Sequence, residues 1–310
     1  MARKQMTEAE RERAAKRREE GLEQRHALFV EACEAMRTSE QWTRYLAFMA
    51  RFHTYSPRNV MLILAQCEHA TQVAGYERWR ELGRQVRKGE AGLRILGGSR
   101  RMVKREDPVT GEIERVQIFR TFNTSVWDIS QTDPIEGFEP VEHPARTLTG
   151  EDTQGTAAAV EAWLTANGWS VEVADLDAAN GRTSAATRTV TFAPHLEPAQ
   201  RAKTALHELA HILCEHFERM ANGEDVHRER FEVEAESVAY LVSCMLGVST
   251  DDYSVGYVTD WAHAEAAAHN TTPADVMLET ARRVRAVAGD ILAILRPDAA
   301  EDEDAANAAA

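Results

Sequence analysis

Long apolar runs, clustered cysteines and a secretion leader are all missing from this sequence. No stretch of 18 or more apolar residues occurs, so we expect no membrane-spanning helix and no membrane partner. The first twenty residues are densely charged and lack the apolar core of a secretory signal. The four cysteines are scattered without a CxxC pair, which favours reduced thiols over disulfides or a cysteine zinc site. Together these absences predict a cytoplasmic protein.

Acidic and basic residues are divided unevenly along the chain. The net charge at pH 7 is -14, yet residues 1–130 carry 24 Lys and Arg against 18 Asp and Glu. Residues 131–310 show the opposite balance, with 12 basic and 32 acidic side chains. The most basic part is residues 51–105, with 12 cations and 4 acids. A basic half joined to an acidic half predicts different partners for the two, with nucleic acid for the basic one.

Composition and periodicity divide the chain into two predicted domains. Apolar residues recur at helical spacing before residue 70, and two β-rich segments follow, Leu93–Leu96 and Val116–Phe122. A stretch rich in Pro, Gly, Thr and acid then precedes a second set of helices and strands. The predicted fold class is therefore α+β in both domains. The predicted segments are a charged helix or arm (1–25), a first domain (26–130), a linker (131–155), a second domain (156–297) and a disordered acidic tail (298–310).

The second domain contains the pattern H-E-x-x-H. His207 and His211 are four residues apart, so both imidazoles lie on one face of a helix and can reach a single ion. The helix that carries them is predicted to run from Pro198 to His216. Glu208 follows the first histidine and can accept a proton from water at the open position of the metal. The pattern predicts a catalytic Zn²⁺ with Glu208 as general base.

A catalytic zinc takes a third protein ligand, which we expect from the next helix, Phe231–Leu246. Glu232 and Glu236 are four residues apart and share a face with small residues, which allows close approach to the motif helix. We therefore predict Glu232 as the third ligand and Glu236 as a hydrogen-bond partner that orients a histidine. Glu234 lies on the stripe of large apolar residues and remains the alternative ligand.

The other histidines of this half are predicted to lie at the surface or at helix ends. His216 comes five residues after His211, so on a continuous helix it turns away from the face of the metal ligands. The remaining members of the group are His195, His227, His263 and His269. None of these histidines is expected to take part in the metal site.

This arrangement resembles the gluzincin branch of zinc metallopeptidases, in which a ligand Glu follows the histidine pair, often in an E-x-x-A-[DEN] pattern. Glu232-Val-Glu-Ala-Glu236 fits that pattern. Residues 185–248 are similar to ImmA/IrrE-type peptidases and to the peptidase domain of ArdC-like antirestriction proteins. The resemblance implies a zincin-like fold, a protein or peptide substrate, and an edge strand at Arg188–Phe192 that lies beside the bound peptide.

Cations and aromatic rings are interleaved in the basic part of the first domain. This mixture suits single-stranded DNA, because Arg and Lys pair with phosphates while rings stack on unpaired bases. Aromatic residues at helical spacing are also typical of a buried core, and for Trp79 both interpretations stay open. The residues predicted to bind nucleic acid are Arg51, Tyr55, Asn59, Trp79, Arg84, Arg87 and Lys88.

Three segments of this domain are similar, in the same order, to the N-terminal single-stranded-DNA-binding domain of ArdC-like antirestriction proteins. They are Tyr55-Ser-x-x-Asn59, Val73-Ala-Gly-Tyr-x-x-Trp79 and the segment from Leu82 to Leu96. The resemblance covers residues 26–130. It implies an α+β module whose partner is single-stranded DNA.

These patterns predict a zinc metallo-endopeptidase that associates with single-stranded DNA and serves a mobile element or its defence or antirestriction system. A first alternative is a non-enzymatic DNA-binding antirestriction protein with a structural zinc, although such a protein has no need of Glu208. A second alternative, which the ImmA/IrrE resemblance implies, is a regulator that cleaves one repressor-like partner.

Overall fold

The computed structural model describes residues 7–106, 113–138, 155–223, 228–247 and 258–296. Contacts divide the chain into two compact units, Met1–Ala32 with Arg58–His143, and Cys33–Pro57 with Pro144–Ala310. Helices and strands occur in both units, so the predicted two-domain α+β class is confirmed. Within the described ranges, every helix is too short or too polar to cross a membrane.

The described elements are mostly helical, with three small sheets. In chain order they are α1 (Glu8–Ala35), α2 (Ser39–Arg51), α3 (Pro57–Gln66), β1 (Val73–Ala74), α4 (Tyr76–Glu81), β2 (Arg84–Val86), β3 (Leu93–Glu106), β4 (Ile113–Asp128), a 3-10 turn (Ile129–Gln131), β5 (Thr132–Pro134), α5 (Thr156–Ala166), β6 (Ser170–Val173), β7 (Gly181–Ser184), β8 (Thr189–Phe192), α6 (Pro198–Leu213), α7 (His216–Ala221), α8 (Arg228–Leu246), α9 (Val258–His269) and α10 (Pro273–Leu295).

The first unit is organised around the antiparallel pair β3 and β4, which is much longer than the two strands predicted from the sequence. Its register runs from Leu93 opposite Val126 to Glu106 opposite Ile113, and β1 adds to the other side of β4. Near the base the pair buries Leu93 and Val126. Beyond that base most of its described side chains are exposed. This part of the pair is therefore a two-stranded ribbon with a solvated surface.

The second unit places a small sheet beside a helical core. The strand order is β6-β8-β7, with β6 parallel and β7 antiparallel to β8. Helix α6 packs on α8 and α5, and α8 packs in turn on α2 and α10. The predicted edge strand at Arg188–Phe192 is therefore wrong, because β8 has a strand on each side. The edge next to α6 is β7, which the sequence analysis did not predict.

Helix α2 belongs to the second unit, although the sequence analysis placed it in the first domain, residues 26–130. A capping box between Thr38 and Gln41 fixes its first turn. Trp42 is fully buried, and its Nε1 donates a hydrogen bond of 2.9 Å to Ser237 Oγ on α8. Burial against a helix that is distant in sequence thus decides which unit α2 joins.

Two further boundaries differ from the sequence prediction. Residues 131–138 of the predicted linker include β5, which pairs with β2 and so extends the first unit. Helix α6 ends at Leu213 instead of continuing to His216, because Glu215 adopts the left-handed conformation with φ 56°. The acidic tail, residues 298–310, lies outside the described residues.

Candidate metal centre

Three ligand atoms from α6 and α8 converge on one point. His207 Nε2 lies 3.1 Å from His211 Nε2, and Glu232 Oε2 lies 3.5 Å from each of these nitrogens. Tetrahedral zinc with bonds of about 2.1 Å separates its ligand atoms by about 3.4 Å. The spacing therefore fits a metal ion held by two imidazoles and one carboxylate. The Glu232 side chain is 52% exposed, which leaves one side of the position open to solvent.

The site attracts positive charge before any ion is considered. Burial lowers the pKa of His207, but hydrogen bonds with Glu232 and Glu236 outweigh burial and raise this pKa to about 9. Hydrogen bonds with His207 and His211 hold the pKa of Glu232 well below its usual range. A carboxylate that stays ionised beside two imidazoles provides a position where a metal cation can replace a proton.

Glu236 orients the first histidine. Its Oε2 accepts a hydrogen bond of 3.1 Å from His207 Nδ1, while its Oε1 lies 3.3 Å from Lys203 Nζ. Because an ionised carboxylate can only accept, the Nδ1 of His207 carries the proton. Nε2, which points to the metal position, is therefore the nitrogen that gives up its proton when a metal binds. The predicted placement of Glu236 beside a histidine agrees with this geometry.

His216 orients the second histidine, a role that the sequence analysis missed. His216 begins α7 and so lies at a helix end, which is one of the two predicted alternatives, but its side chain is fully buried and not at the surface. Its Nε2 lies 3.1 Å from Glu234 Oε2, and its Nδ1 lies 2.9 Å from His211 Nδ1. The left-handed turn at Glu215 explains the difference, because it ends the helix and redirects His216 towards α6 and α8.

The protonation pattern of this chain of groups follows from burial and charge. Burial lowers the pKa of His216 to about 4, so its imidazole is neutral at pH 7. Burial alone raises the pKa of Glu234, but the hydrogen bond from His216 and nearby arginines lower it to about 2. The His216 Nε2–H therefore donates to Glu234, and its Nδ1 accepts from His211 Nδ1–H. His211 thus presents an unprotonated Nε2 to the metal position.

Glu234, the alternative ligand, lies in a different environment. Its side chain has no exposed surface, and it receives hydrogen bonds from Arg219 Nη1 at 2.8 Å and Arg230 Nε at 2.9 Å. Arg283 Nη1 on α10 lies 3.5 Å away. Its oxygens also lie near the buried thiol of Cys214, which with His216 and Glu234 forms a second group that could hold a metal. The cations around Glu234 already neutralise it.

Glu208 is held against the edge strand β7. The side chain is 6% exposed, and its Oε2 accepts a hydrogen bond of 2.6 Å from Thr183 Oγ1. Gly181 lies so close that a Cβ there would come within 2.6 Å of Glu208 Oε1. A glycine at this position therefore makes room for the carboxylate beside the metal ligands. The sequence signal for this contact was too weak to find, because β7 has only four residues.

Four other histidines of this half were also predicted to lie at the surface or at helix ends. His195, His263 and His269 are exposed, as expected. His227 lies outside the described residues. The two groups of His, Cys and acidic residues that could hold a metal within the described ranges are His207-His211-Glu232 and Cys214-His216-Glu234.

The predicted DNA-binding residues are divided between the two units. Arg51 and Tyr55 fall in the second unit, and the other five fall in the first. Asn59 is buried and brackets the β3 backbone, donating to Leu96 O at 2.8 Å and accepting from Leu96 N at 3.0 Å. Trp79 is 1% exposed and donates from Nε1 to Trp127 O. In these positions Asn59 and Trp79 stabilise the fold and offer no face to a base.

The cations of the third motif segment differ in how far they are engaged. Arg84 donates to Thr132 Oγ1 at 2.7 Å, and Arg87 pairs with Glu90 at 2.9 Å and with Asp133 at 3.3 Å. Lys88 is exposed. Arg87 and Lys88 border an open cavity of about 770 Å³, whose aromatic walls are Tyr76 and Trp127.

Two segments of the chain match known domain families. Residues 8–126 match the model of the N-terminal domain of anti-restriction factor ArdC, and residues 167–243 match the IrrE N-terminal-like domain of the M78 peptidase class. Both resemblances stated from the sequence are thereby confirmed. An uncharacterised protein of Bacillus anthracis is 28% identical over 69% of this chain. The chain spans 42% of the length of that relative.

Solved structures of an antirestriction ArdC protein from plasmid R388 share the fold. The metal-free form has a TM-score of 0.53 at 20% identity, covering 78% of this chain and 86% of that chain. The form with bound Mn(II) has a TM-score of 0.50 at 18% identity, covering 78% and 85%. The likeness establishes a common architecture, and one member of that architecture binds a divalent metal.

Proposed function

We propose that this chain, which joins an ArdC-type N-terminal domain to an IrrE-like domain, is a zinc metallo-endopeptidase that associates with single-stranded DNA. The observation that carries the enzymatic part is the spacing of 3.1–3.5 Å among the ligand atoms of His207, His211 and Glu232. Glu208, whose carboxylate is buried, directly follows the first proposed ligand in the sequence. A purely structural zinc would need the ligands but not this carboxylate.

The residues divide the chemistry between them. His207, His211 and Glu232 hold the ion, and Glu236 and His216 fix the tautomers of the two histidines. When bound, zinc supplies Lewis acidity towards water and a peptide carbonyl. Glu208 takes a proton from the attacking water and delivers it to the nitrogen of the leaving amine. The hydrogen bond from Thr183 holds one carboxylate oxygen, so the other oxygen carries the proton.

The edge strand β7 supports a peptide as the substrate. It ends the sheet order β6-β8-β7 and contacts α6 through Thr183 and Gly181. An extended peptide can add to such an edge through main-chain hydrogen bonds. A peptide bound in this way runs past Glu208, where its carbonyl can meet the attacking water.

Zinc is proposed because the ligands are two imidazoles and one carboxylate. That set is found in catalytic zinc sites with one position left for water. The related ArdC structure with Mn(II) shows that another divalent ion is accommodated in that protein. The metal that co-purifies with this chain therefore decides between the two ions.

The DNA-binding part of the proposal rests on the first unit. It is the basic part of the chain, and it matches the ArdC N-terminal domain. Tyr76 is 40% exposed beside the exposed Lys88 at the open cavity, which combines a ring with a cation. By this reasoning the chain serves the antirestriction system of a mobile element, and its peptidase domain acts on a protein met at incoming DNA.

The test compares wild type with Glu208→Gln and His207→Ala, using elemental analysis and cleavage of fluorescein-labelled casein with and without oligothymidylate. We expect zinc in wild type and in Glu208→Gln, and a large loss of metal in His207→Ala. Cleavage should fall by about 10²- to 10⁴-fold in Glu208→Gln, because only the general base is removed. Cleavage by Glu208→Gln at the wild-type rate would contradict the peptidase mechanism. Zinc without Glu208-dependent cleavage would favour the non-enzymatic alternative.

A further inference from the structure

An exposed aromatic ring lies on one face of the ribbon formed by β3 and β4. Phe119 is 70% exposed, although a phenylalanine on a strand usually packs inward. Residues directly opposite each other on paired strands share a face, and so do residues two apart along one strand. The face of Phe119 therefore includes Arg100 directly opposite, together with Met102, Ile113 and Arg115. We call these five residues the ribbon face.

The backbone beneath Phe119 holds its ring in place. A Cβ on Gly98 would come within 2.3 Å of Phe119 Cζ, so the ring lies directly over this glycine. The tip of the ring therefore lies against the main chain at Gly98, while most of the side chain faces solvent. A ring fixed in this way loses little conformational freedom when a flat partner stacks on it. A side chain on residue 98 would displace it.

The charge on the ribbon selects the partner. Residues 97–106 and 113–122 carry six Lys and Arg against two Glu. Arg100 and Arg115 are both exposed on the ribbon face. A ring flanked by cations suits a strand of nucleic acid, since an unpaired base can stack while phosphates meet the arginines. An uncharged protein face or an apolar surface would gain from the ring but not from the positive charge.

We propose that the ribbon face, with Phe119 as its stacking ring and Arg100 and Arg115 as its phosphate contacts, binds single-stranded DNA. This proposal rests on the DNA association proposed above, and it assigns that association to residues that the sequence motifs do not include. Asn59 and Trp79 carry the resemblance but are buried, whereas Phe119 lies outside all three motif segments. The face recognises unpaired bases without sequence preference, because every base offers a flat surface to a ring.

The experiment measures binding of the full chain to fluorescein-labelled oligothymidylate by anisotropy over a salt series. Phe119→Ala should weaken binding by about 5- to 150-fold, the range for one lost base stack. Phe119→Trp should restore or strengthen binding, since a larger ring stacks as well. Arg100→Ala should reduce the slope of log affinity against log salt concentration by about 1, the value for one lost phosphate contact. Ile118→Ala on the opposite face is the matched control and should bind like wild type.

The outcomes separate this proposal from the broader one. If wild type does not bind oligothymidylate, the DNA association itself is wrong and the ribbon proposal falls with it. If wild type binds and Phe119→Ala binds equally well, only the ribbon assignment is wrong. Sedimentation of the same variants tests the competing occupant, a second copy of this chain. Dimers that Phe119→Ala dissociates, with unchanged DNA binding, would overturn the proposal in favour of self-association.

Discussion

Helix α8 carries two glutamates, two residues apart, that belong to opposite kinds of site. Residues two apart on a helix point in nearly opposite directions, since each residue turns the helix by about 100°. Glu232 faces His207 and His211 with half its side chain exposed, whereas Glu234 faces His216 and three arginines with none exposed. Each belongs to a three-residue group that could hold a metal.

The difference between the two groups lies in what already neutralises the carboxylate. The contacts of Glu232 in the described part of the chain are the imidazoles of His207 and His211, which a metal can bind. Glu234 is bound by guanidinium groups that cannot lose their charge. Burial, together with the charge of Glu234, also raises the pKa of Cys214 to about 12, which opposes formation of a thiolate ligand. Three donor atoms within 4.8 Å of one another are therefore insufficient for a metal site when fixed cations surround them.

The largest expected effect comes from exchanging the two glutamates for alanine one at a time. Removing a residue that only hydrogen-bonds to a metal ligand typically lowers metal affinity by about 10- to 100-fold. Glu232→Ala removes a proposed ligand itself, so it should lower zinc affinity by more than that. It should hardly change the stability of the metal-free protein, since the side chain is half exposed. Glu234→Ala should instead cost about 3–5 kcal/mol in unfolding free energy, because it leaves buried arginines without their carboxylate.

Two measurements on the metal-free and zinc-loaded proteins check this crossed pattern. Competition with a chromophoric chelator gives the zinc affinity, and denaturant unfolding of the metal-free protein gives stability. Glu234→Gln is the control for volume, and it should lie between Glu234→Ala and wild type in stability. A greater loss of zinc affinity in Glu234→Ala than in Glu232→Ala would return the ligand assignment to Glu234.

The sequence was sufficient to bring together the candidate ligands and one of the groups around them. His207 and His211, like Glu232 and Glu236, are i and i+4 pairs that share a face in any helix, and the small residues beside Glu232 favoured it over Glu234. His216 could not be placed, since its position depends on a left-handed residue at Glu215, where the sequence offers no glycine as a signal. The partner of Glu208 was missed because β7 is a short strand with little apolar pattern.

The same limit applies to the first unit. The three motif segments lie within the part of the chain that matches the ArdC N-terminal domain, yet Asn59 and Trp79 within them are buried parts of the fold. A sequence motif does not distinguish residues that bind a partner from residues that stabilise the fold. Trp79, which is buried and donates a hydrogen bond to a backbone carbonyl, is of the second kind. The long ribbon was only partly predicted, because its exposed half lacks the regular apolar alternation of a strand packed on a core.

A smaller effect is expected from His216→Phe, which tests the support of His211. Phenylalanine fills a similar volume and can keep the ring contact with Phe231, at 4.5 Å between centroids in wild type, but accepts no hydrogen bond. Losing the partner of His211 Nδ1 should weaken zinc binding by about 10- to 100-fold. Glu234 keeps Arg219 and Arg230, so the fold should persist.

The control for His216→Phe is Cys214→Ala, measured by the same chelator competition. Cys214 belongs to the second group, and among the described residues it makes no hydrogen bond with His207 or His211. Its variant should retain wild-type zinc affinity and one zinc per chain. A loss of metal in Cys214→Ala would show that the second group also binds an ion, and the contrast between the two glutamates would no longer hold.

The smallest expected effect is on catalysis by Glu208, whose carboxylate accepts a hydrogen bond from Thr183. Thr183→Val keeps the shape of the side chain but removes the donor to Glu208 Oε2, so the carboxylate can rotate away from the attacking water. Casein cleavage should fall by about tenfold, the value of one modest hydrogen bond. Zinc affinity should stay unchanged, because the described hydrogen bond of the Thr183 side chain goes to Glu208 and not to His207, His211 or Glu232. Thr183→Ser restores the hydroxyl and should recover cleavage, whereas equal losses in Val and Ser variants would assign Thr183 to packing of β7 alone.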